Sequence, residues 1–182
     1  MIRRLISLAA FFVTTGCAPA PVTMTDVQRA AIADSARALV KSVMANFDKM
    51  DTDASLKDYS KDADARYMDG GSVYASFSAY RASQAQFAAV LEAAHTSTDS
   101  IDVVVLSPDA VVMSAPWQST LRAKGRSDYI VHGAWSLVLQ RRTGRWQVIH
   151  AHESIVNPDA MVAALTPGPS KAAAKPKSSA KK

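Results

Sequence analysis

The feature that most constrains this chain is one change of hydrophobic periodicity. Between residues 23 and 95 apolar residues recur at helical spacing, whereas from residue 101 they form β-rich runs. The runs are IDVVVL, AVVMSAPWQSTL, SDYIVHGAWSLVLQ and RWQVIHAHESIV, and they are separated by SPDA, RAKG and RTG, which have turn chemistry. Helices followed by a meander of strands are typical of an α+β domain, with N-terminal helices covering one face of a curved antiparallel sheet.

The helical part begins with a capping box. Thr25 and Gln28 have the spacing at which each side chain bonds the backbone N–H of the other, and a long amphipathic helix is predicted after them. The later elements are expected at residues 54–59 (short helix), 65–68 (short strand), 69–71 (turn) and 76–95 (helix).

The N-terminus predicts export. Arg3 and Arg4 precede an apolar run of about half the ~20 residues that a membrane-spanning helix needs, as in a secretory signal. TTGC, ending at Cys17, resembles the bacterial lipoprotein box, although Thr14 replaces the usual aliphatic residue. We therefore expect a signal peptide at residues 1–16, a lipidated Cys17 opening a linker at 17–24, and a lipoprotein on the periplasmic face of the envelope. An ordinary signal-peptide cysteine is the alternative.

The C-terminus predicts a disordered tail at residues 159–182, rich in Ala, Pro and Lys. Seven of the 21 basic residues lie in the signal or the tail, which leaves 14 in the body against the 16 acidic residues of the chain. The body is therefore slightly acidic, and nucleic acid is not expected as a partner. The lysine tail either keeps the chain soluble or binds envelope polymers, which would make this an envelope interaction protein.

Three motifs carry a resemblance to a known superfamily: YMDGG on the short strand, RRTGRWQVI at the last hairpin, and HES at the close. Together with the order of elements, they resemble the nuclear-transport-factor-2-like superfamily, which includes SnoaL-like and ketosteroid-isomerase-like proteins. The resemblance implies a cone-shaped domain at residues 25–158, with a pocket between sheet and helices, and a homodimer formed through the sheet. It implies either a domain for small apolar ligands or for assembly, or an isomerase, dehydratase or hydrolase.

The last hairpin determines where its two histidines point. With Thr143 and Gly144 at the tip, Leu139 faces Val148, and two residue pairs follow in the same register: Leu137 with His150, and Trp135 with His152. That face is apolar, so both histidines are predicted to point towards the helices and the pocket. A single β-bulge would reverse this assignment.

The resemblance implies an Asp or a His in the pocket of the members that transfer protons, and Asp69, His150 and His152 are the matching candidates here. Carboxyl and imidazole groups in an apolar cavity can titrate near neutral pH, as acid–base catalysis requires. A histidine hydrogen-bonded in the core is the structural alternative. Two histidines are too few for a metal site, and the sequence has no nucleotide loop or C-x-x-C pair, so neither metal nor cofactor is expected. Four aromatic residues either line a ligand cavity or fill the core: Tyr67, Trp117, Tyr129 and Trp135.

Overall fold

The computed structural model describes residues 23–166, which form helices on the inner face of a curved, unclosed sheet. The helices are α1 (Asp26–Phe47), α2 (Thr52–Ser55), α3 (Phe77–Val90) and α4 (Pro158–Leu165). The strands are β1 (Arg66–Asp69), β2 (Ser72–Tyr74), β3 (Leu91–Ser97), β4 (Asp102–Ser107), β5 (Ala110–Ala123), β6 (Tyr129–Arg142) and β7 (Arg145–Ile155). The predicted α+β class and curved sheet are confirmed.

The sheet is mostly antiparallel, as predicted, and contains one parallel pair. Its order is β2-β1-β7-β6-β5-β3, and β4 also pairs with β5. The pairs of neighbouring strands are antiparallel except β1 with β7, which run in parallel. A parallel pair needs a long connection, and here the whole chain between β1 and β7 provides it.

Helix α1 covers the centre of the sheet. Its capping box is present as predicted, with Thr25 and Gln28 bonding each other's backbone. Its buried face carries Ala33, Ala36, Val40 and Met44. Two alanines in that face let the helix lie close to the sheet, where it packs on the fully buried Val111, Met113 and Leu139.

Strand β3 replaces the last part of a predicted helix. The sequence predicts a helix that continues to His95, but α3 ends at Val90 and the chain then pairs antiparallel with β5. Leu91 and Thr96 become buried through this pairing, and their burial outweighs the local preference of the alanines for helix.

Helix α4 lies within the residues assigned to the disordered tail, and the folded domain therefore continues to Leu165. Pro158 opens the helix and Leu165 is buried at its end. The Arg126 guanidinium donates to the carbonyls of Ala163 and Ala164, at 3.1 and 3.0 Å, and so satisfies orphan acceptors of the last turn. Aliphatic residues in this short segment were enough to join it to the core.

Residues 1–22 and 167–182 lie outside the described part of the chain. The predicted signal peptide, Cys17 and the five tail lysines all fall there. Between residues 23 and 166, no helix has the length and apolarity that crossing a membrane requires.

Candidate functional site

A cavity of about 370 Å³ lies between the sheet and helices α1, α3 and α4. Its walls are mainly apolar and aromatic. The larger side chains of the lining are Phe47, Tyr59, Tyr74, Tyr80, Phe87, Trp117, Trp135, Ile155 and Met161. A few polar groups interrupt this surface, a combination that is typical of small-molecule sites.

Two carboxyl groups stand side by side in the cavity wall. Asp69 ends β1, Glu153 lies on β7, and the two residues are register partners in the parallel pair. Gln84 on α3 donates its side-chain amide to Asp69 Oδ2 at 2.9 Å. Asp69 Oδ1 is buried and has no donor among the described residues unless the neighbouring Glu153 carries a proton.

Burial governs the charge of this pair. Burial, together with the neighbouring Asp69 charge, raises the pKa of Glu153 to about 8, although the hydrogen bond with Trp135 acts in the opposite direction. Burial also raises the pKa of Asp69, against the effect of its hydrogen bonds. At neutral pH the pair therefore holds one proton and one negative charge, with the proton mainly on Glu153. A protonated Glu153 supplies the donor that Asp69 Oδ1 otherwise lacks.

A pair that shares one proton has both an acid and a base available. The ionised member accepts a proton while the protonated member donates one, and an apolar environment separates these roles at neutral pH. The arrangement can therefore perform general acid–base chemistry on a molecule in the cavity.

Tyrosine hydroxyls surround the carboxyl pair. Burial raises the pKa of both Tyr59 and Tyr80, so both remain protonated hydrogen-bonding groups across the physiological range. Tyr80 stacks on Tyr67 with ring centroids 4.9 Å apart, and the Tyr67 hydroxyl donates to the Ser60 carbonyl at 2.5 Å. This stack holds β1, and with it Asp69, against α3.

A β-bulge in β7 determines which side chains reach the cavity. The hairpin pairs as predicted from its tip to Leu139 and Val148, but the next pair is Val138 with His150, which leaves Ile149 as an extra residue. Beyond the bulge the register is shifted by one, so Trp135 faces Glu153.

The prediction that His150 and His152 point into the pocket is therefore wrong. They pair with Val138 and Ser136, on the face opposite the buried Leu137, and neither lines the cavity. Glu153, which the predicted register placed on the outer face, lies in the cavity instead. The sequence does place Ala151, Glu153 and Ile155 at alternate positions, as expected for one face of a strand. Without knowledge of the bulge, however, the sequence does not show whether this face or the histidine face points into the cavity.

The other predicted site residues divide into two groups. Asp69, Trp117 and Trp135 line the cavity together. Tyr67 does not line the cavity; it lies behind the wall, with its ring stacked on that of Tyr80. Tyr129 does not line the cavity either, and packs against the apolar cluster that contains Leu121 and Val131.

Sequence reasoning missed Gly133. A Cβ at this position would collide with the ring of Trp117 and with the Ser154 carbonyl oxygen. The absence of a side chain at Gly133 thus makes room for the Trp117 indole, which packs on Trp135 with centroids 5.7 Å apart. Together the two rings form one wall of the cavity.

His95 is not among the residues that line the cavity; it is exposed on β3, with its Nδ1 3.2 Å from Asp48 Oδ2. Among residues 23–166 no three His, Cys, Asp or Glu side chains converge in a group that could hold a metal ion.

Comparison with known proteins places this fold in a family. The model of the SnoaL-like domain family matches residues 36–158. A candidate scytalone dehydratase from Novosphingobium aromaticivorans superimposes with a TM-score of 0.66 at 10% identity, covering 72% of this chain and 89% of that one. The hexachlorocyclohexane dehydrochlorinase LinA-type3 from Novosphingobium barchaimii gives 0.62 at 13% identity, covering 72% and 90%.

A third similar structure is a nuclear transport factor 2-like superfamily protein from Salmonella enterica, with a TM-score of 0.64 at 14% identity, covering 70% of this chain and 92% of that one. The search among curated proteins gave no match. At these identities the structural likeness establishes the fold alone.

Proposed function

The chain belongs to the SnoaL-like domain family, and from this premise we propose that it binds a small, mainly apolar molecule in its cavity and transfers a proton to or from it. The observation that carries this proposal is the Asp69–Glu153 pair, two neighbouring carboxyl groups with raised pKa values in a cavity lined mainly by apolar residues. A domain used only for assembly has no need of such a pair, because burying a carboxylate costs stability.

The proposed roles follow from the charges. Asp69, as the ionised member, removes a proton from a carbon of the substrate, and Glu153 donates its proton either to a leaving hydroxyl or to another carbon. The former releases water and leaves a double bond; the latter moves a double bond. In both cases Asp69 ends with the proton and Glu153 with the charge, so the pair still holds one proton and is restored by an internal transfer.

The names of two similar structures agree with this chemistry, because a dehydratase and a dehydrochlorinase both catalyse eliminations. We do not propose the substrate of either enzyme as the substrate of this chain. The proposal thus names a reaction type, proton transfer with isomerisation or elimination, and leaves the substrate to experiment.

Proton transfer can be tested without knowing the substrate. The protein is incubated in D₂O with a panel of small cyclic ketones and β-hydroxyketones, and deuterium incorporation or loss of water is followed by mass spectrometry. We expect faster exchange or elimination with the wild type than with Asp69→Asn. An Asp99→Asn variant, which removes an exposed carboxylate, is the control. Binding of these compounds without exchange would reduce the function to ligand binding.

We also propose that the chain is exported and held at the periplasmic face of a bacterial membrane by a lipidated Cys17. Support comes from the sequence, in which Gly16 and Cys17 follow a short apolar run. Two or three acyl chains would anchor the domain stably, because each buried methylene contributes about 0.8 kcal/mol.

We further propose a homodimer formed through the outer face of the sheet. A row of side chains crosses four paired strands there: Val104, Val112, Val138 and His150. Val104 is 60% exposed, and Leu106 on the same strand is 59% exposed. A continuous apolar surface of this kind is typical of an interaction site.

A further inference from the structure

The charge of the cavity is unbalanced. Its lining contains two carboxyl groups and, among the described residues, no Lys, Arg or His. The other titratable groups that face the pair are the hydroxyls of Tyr59, Tyr74 and Tyr80, whereas the lining residues of α1, α4, β3, β5 and β6 carry none. No cationic side chain is among the groups that act on Asp69 or Glu153. The negative charge of the pair is thus unpaired inside the protein.

A charge buried without a partner is costly, and it makes the cavity selective for ligands of opposite sign. Two carboxylates elsewhere in the domain share a cationic partner: Asp62 and Asp64 pair with Arg142 at 2.7 and 2.8 Å. The Asp69–Glu153 pair differs in having its open side towards an empty volume large enough for a small ligand.

The aromatic lining favours the same kind of ligand. Rings of Tyr74, Tyr80, Phe87, Trp117 and Trp135 line the volume next to the carboxyl pair. The faces of such rings carry partial negative charge and attract a cation, most strongly when the cation is desolvated. An organic ammonium group meets both requirements, because its carbon substituents suit the apolar wall and its charge suits the carboxylate.

We infer that the ligand of this cavity carries a positively charged nitrogen, a protonated amine or a quaternary ammonium group on an apolar body, and that this nitrogen lies against the Asp69–Glu153 pair. The inference rests on the proposed function, because it names the substrate class of the same site. An anionic ligand is disfavoured by the carboxylate, and a neutral one leaves the carboxylate unpaired.

The experiment compares three probes of nearly the same shape: 4-(hydroxymethyl)phenyltrimethylammonium, 4-tert-butylbenzyl alcohol and 4-(hydroxymethyl)benzenesulfonate. Their binding to the wild-type protein is measured by calorimetry and by the fluorescence change of the cavity tryptophans. We expect the cation to bind roughly tenfold more tightly than the neutral isostere or better, and the anion to bind most weakly.

Two further measurements locate the charge effect. Affinity for the quaternary probe, which does not titrate, should rise as the pH is raised from 6 to 9 and the pair loses its remaining proton, whereas affinity for the alcohol should stay constant. The double variant Asp69→Asn with Glu153→Gln should bring the cation and the alcohol to within about twofold of each other. The matched control, Glu92→Gln with Asp99→Asn, removes two exposed carboxylates and should preserve the preference.

The outcomes separate this inference from the proposed function. If the alcohol binds as well as the cation, the inference is overturned while a small-molecule site remains. If no probe binds, both are contradicted. If the control double variant lowers affinity for the cation as much as the cavity double variant does, the preference arises from the surface charge of the protein and the inference fails. The comparison of probes on the wild type stands even if the double variant does not fold.

Discussion

Trp135 and Glu153 face each other across the β6–β7 pair, and a one-residue bulge at Ile149 puts them there. Without the bulge, His152 would occupy the position opposite Trp135. One inserted residue thus decides whether the cavity holds an imidazole or a second carboxyl group next to Asp69.

The charge of Glu153 should make the protein less stable in alkaline solution. Its pKa is raised from 4.5 to about 8 in the folded state, so the folded chain binds more protons than the unfolded chain between these values, and stability falls as the pH rises through this window. Glu153→Gln keeps a donor for Asp69 and removes this dependence. At pH 9 we expect the free energy of unfolding of the variant, measured by urea denaturation, to exceed that of the wild type by about 1 kcal/mol or more. A wild-type stability that rises from pH 5 to 9 while the variant's stays flat would contradict this.

Histidine substitutions should leave the cavity intact. His150→Ala and His152→Ala change the outer face of the sheet, and we expect affinity for the cavity probes to stay within about twofold of wild type because distant sites are nearly independent. Asp69→Asn should weaken binding of the cationic probe by roughly tenfold or more, because the charge that attracts this probe lies in the cavity wall. Calorimetry with the same probe on all three variants makes the comparison, and a large effect from either histidine would refute the outward assignment.

Gly133→Ala should destabilise the domain. The added methyl group meets the Trp117 ring and a backbone carbonyl, neither of which can yield without disturbing β5 or β7. We expect a loss of about 1–3 kcal/mol in chemical denaturation. Ala134→Ser adds one atom at the neighbouring exposed position and serves as the control. Equal stability of the two variants would show that Trp117 has more room than the structure gives it.

An acidic residue at Val104 should dissociate the proposed dimer. Val104→Asp puts a charge on the most exposed valine of the row, at its β4 end, and in an interface this charge would be desolvated without a partner. Light scattering after size-exclusion chromatography should report a dimer for wild type and a monomer for the variant. Val27→Asp, at an even more exposed valine on α1, should remain dimeric. A monomeric wild type at high concentration would rule out the dimer.

Cys17→Ser should release the chain from membranes. If Cys17 carries the lipid, its replacement removes the anchor, and fractionation of bacterial cells should move the protein from the membrane to the soluble fraction. Shortening the chain after residue 170 removes the lysines and should leave it on the membrane. Membrane attachment that survives the Cys17 substitution would refute the lipidation, and release by the truncation alone would assign the attachment to the tail.

Local patterns predicted most of this fold. The capping box of α1, the turn after Asp69 and the hairpin from its tip to Leu139 and Val148 depend on residues close in sequence, and all are present. The α+β class follows from the order of these local patterns. These features were predictable because their stabilising contacts lie within a few residues of each other.

Only half of the site was predictable, because its other half depends on contacts between residues far apart in sequence. The resemblance to a known superfamily indicates Asp69, but Glu153 enters the cavity through a bulge, and its partner strand β1 runs parallel to it. Strand β3 likewise forms only because β5 is available for pairing. Such features depend on tertiary contacts, which hydrophobic periodicity does not record.

The parallel pairing of β1 with β7 also sets the order of assembly. Asp69 and Glu153 are far apart in the sequence, on the first strand and the last, so they meet only after the last strand has docked. Until then each carboxyl group remains hydrated and ordinary in acidity, and no intermediate has to bury an unpaired charge. The cavity therefore acquires its unusual acidity at the completion of folding, and a chain truncated before β7 would lack Glu153 and helix α4 together with the pairing that places Asp69 in the cavity wall.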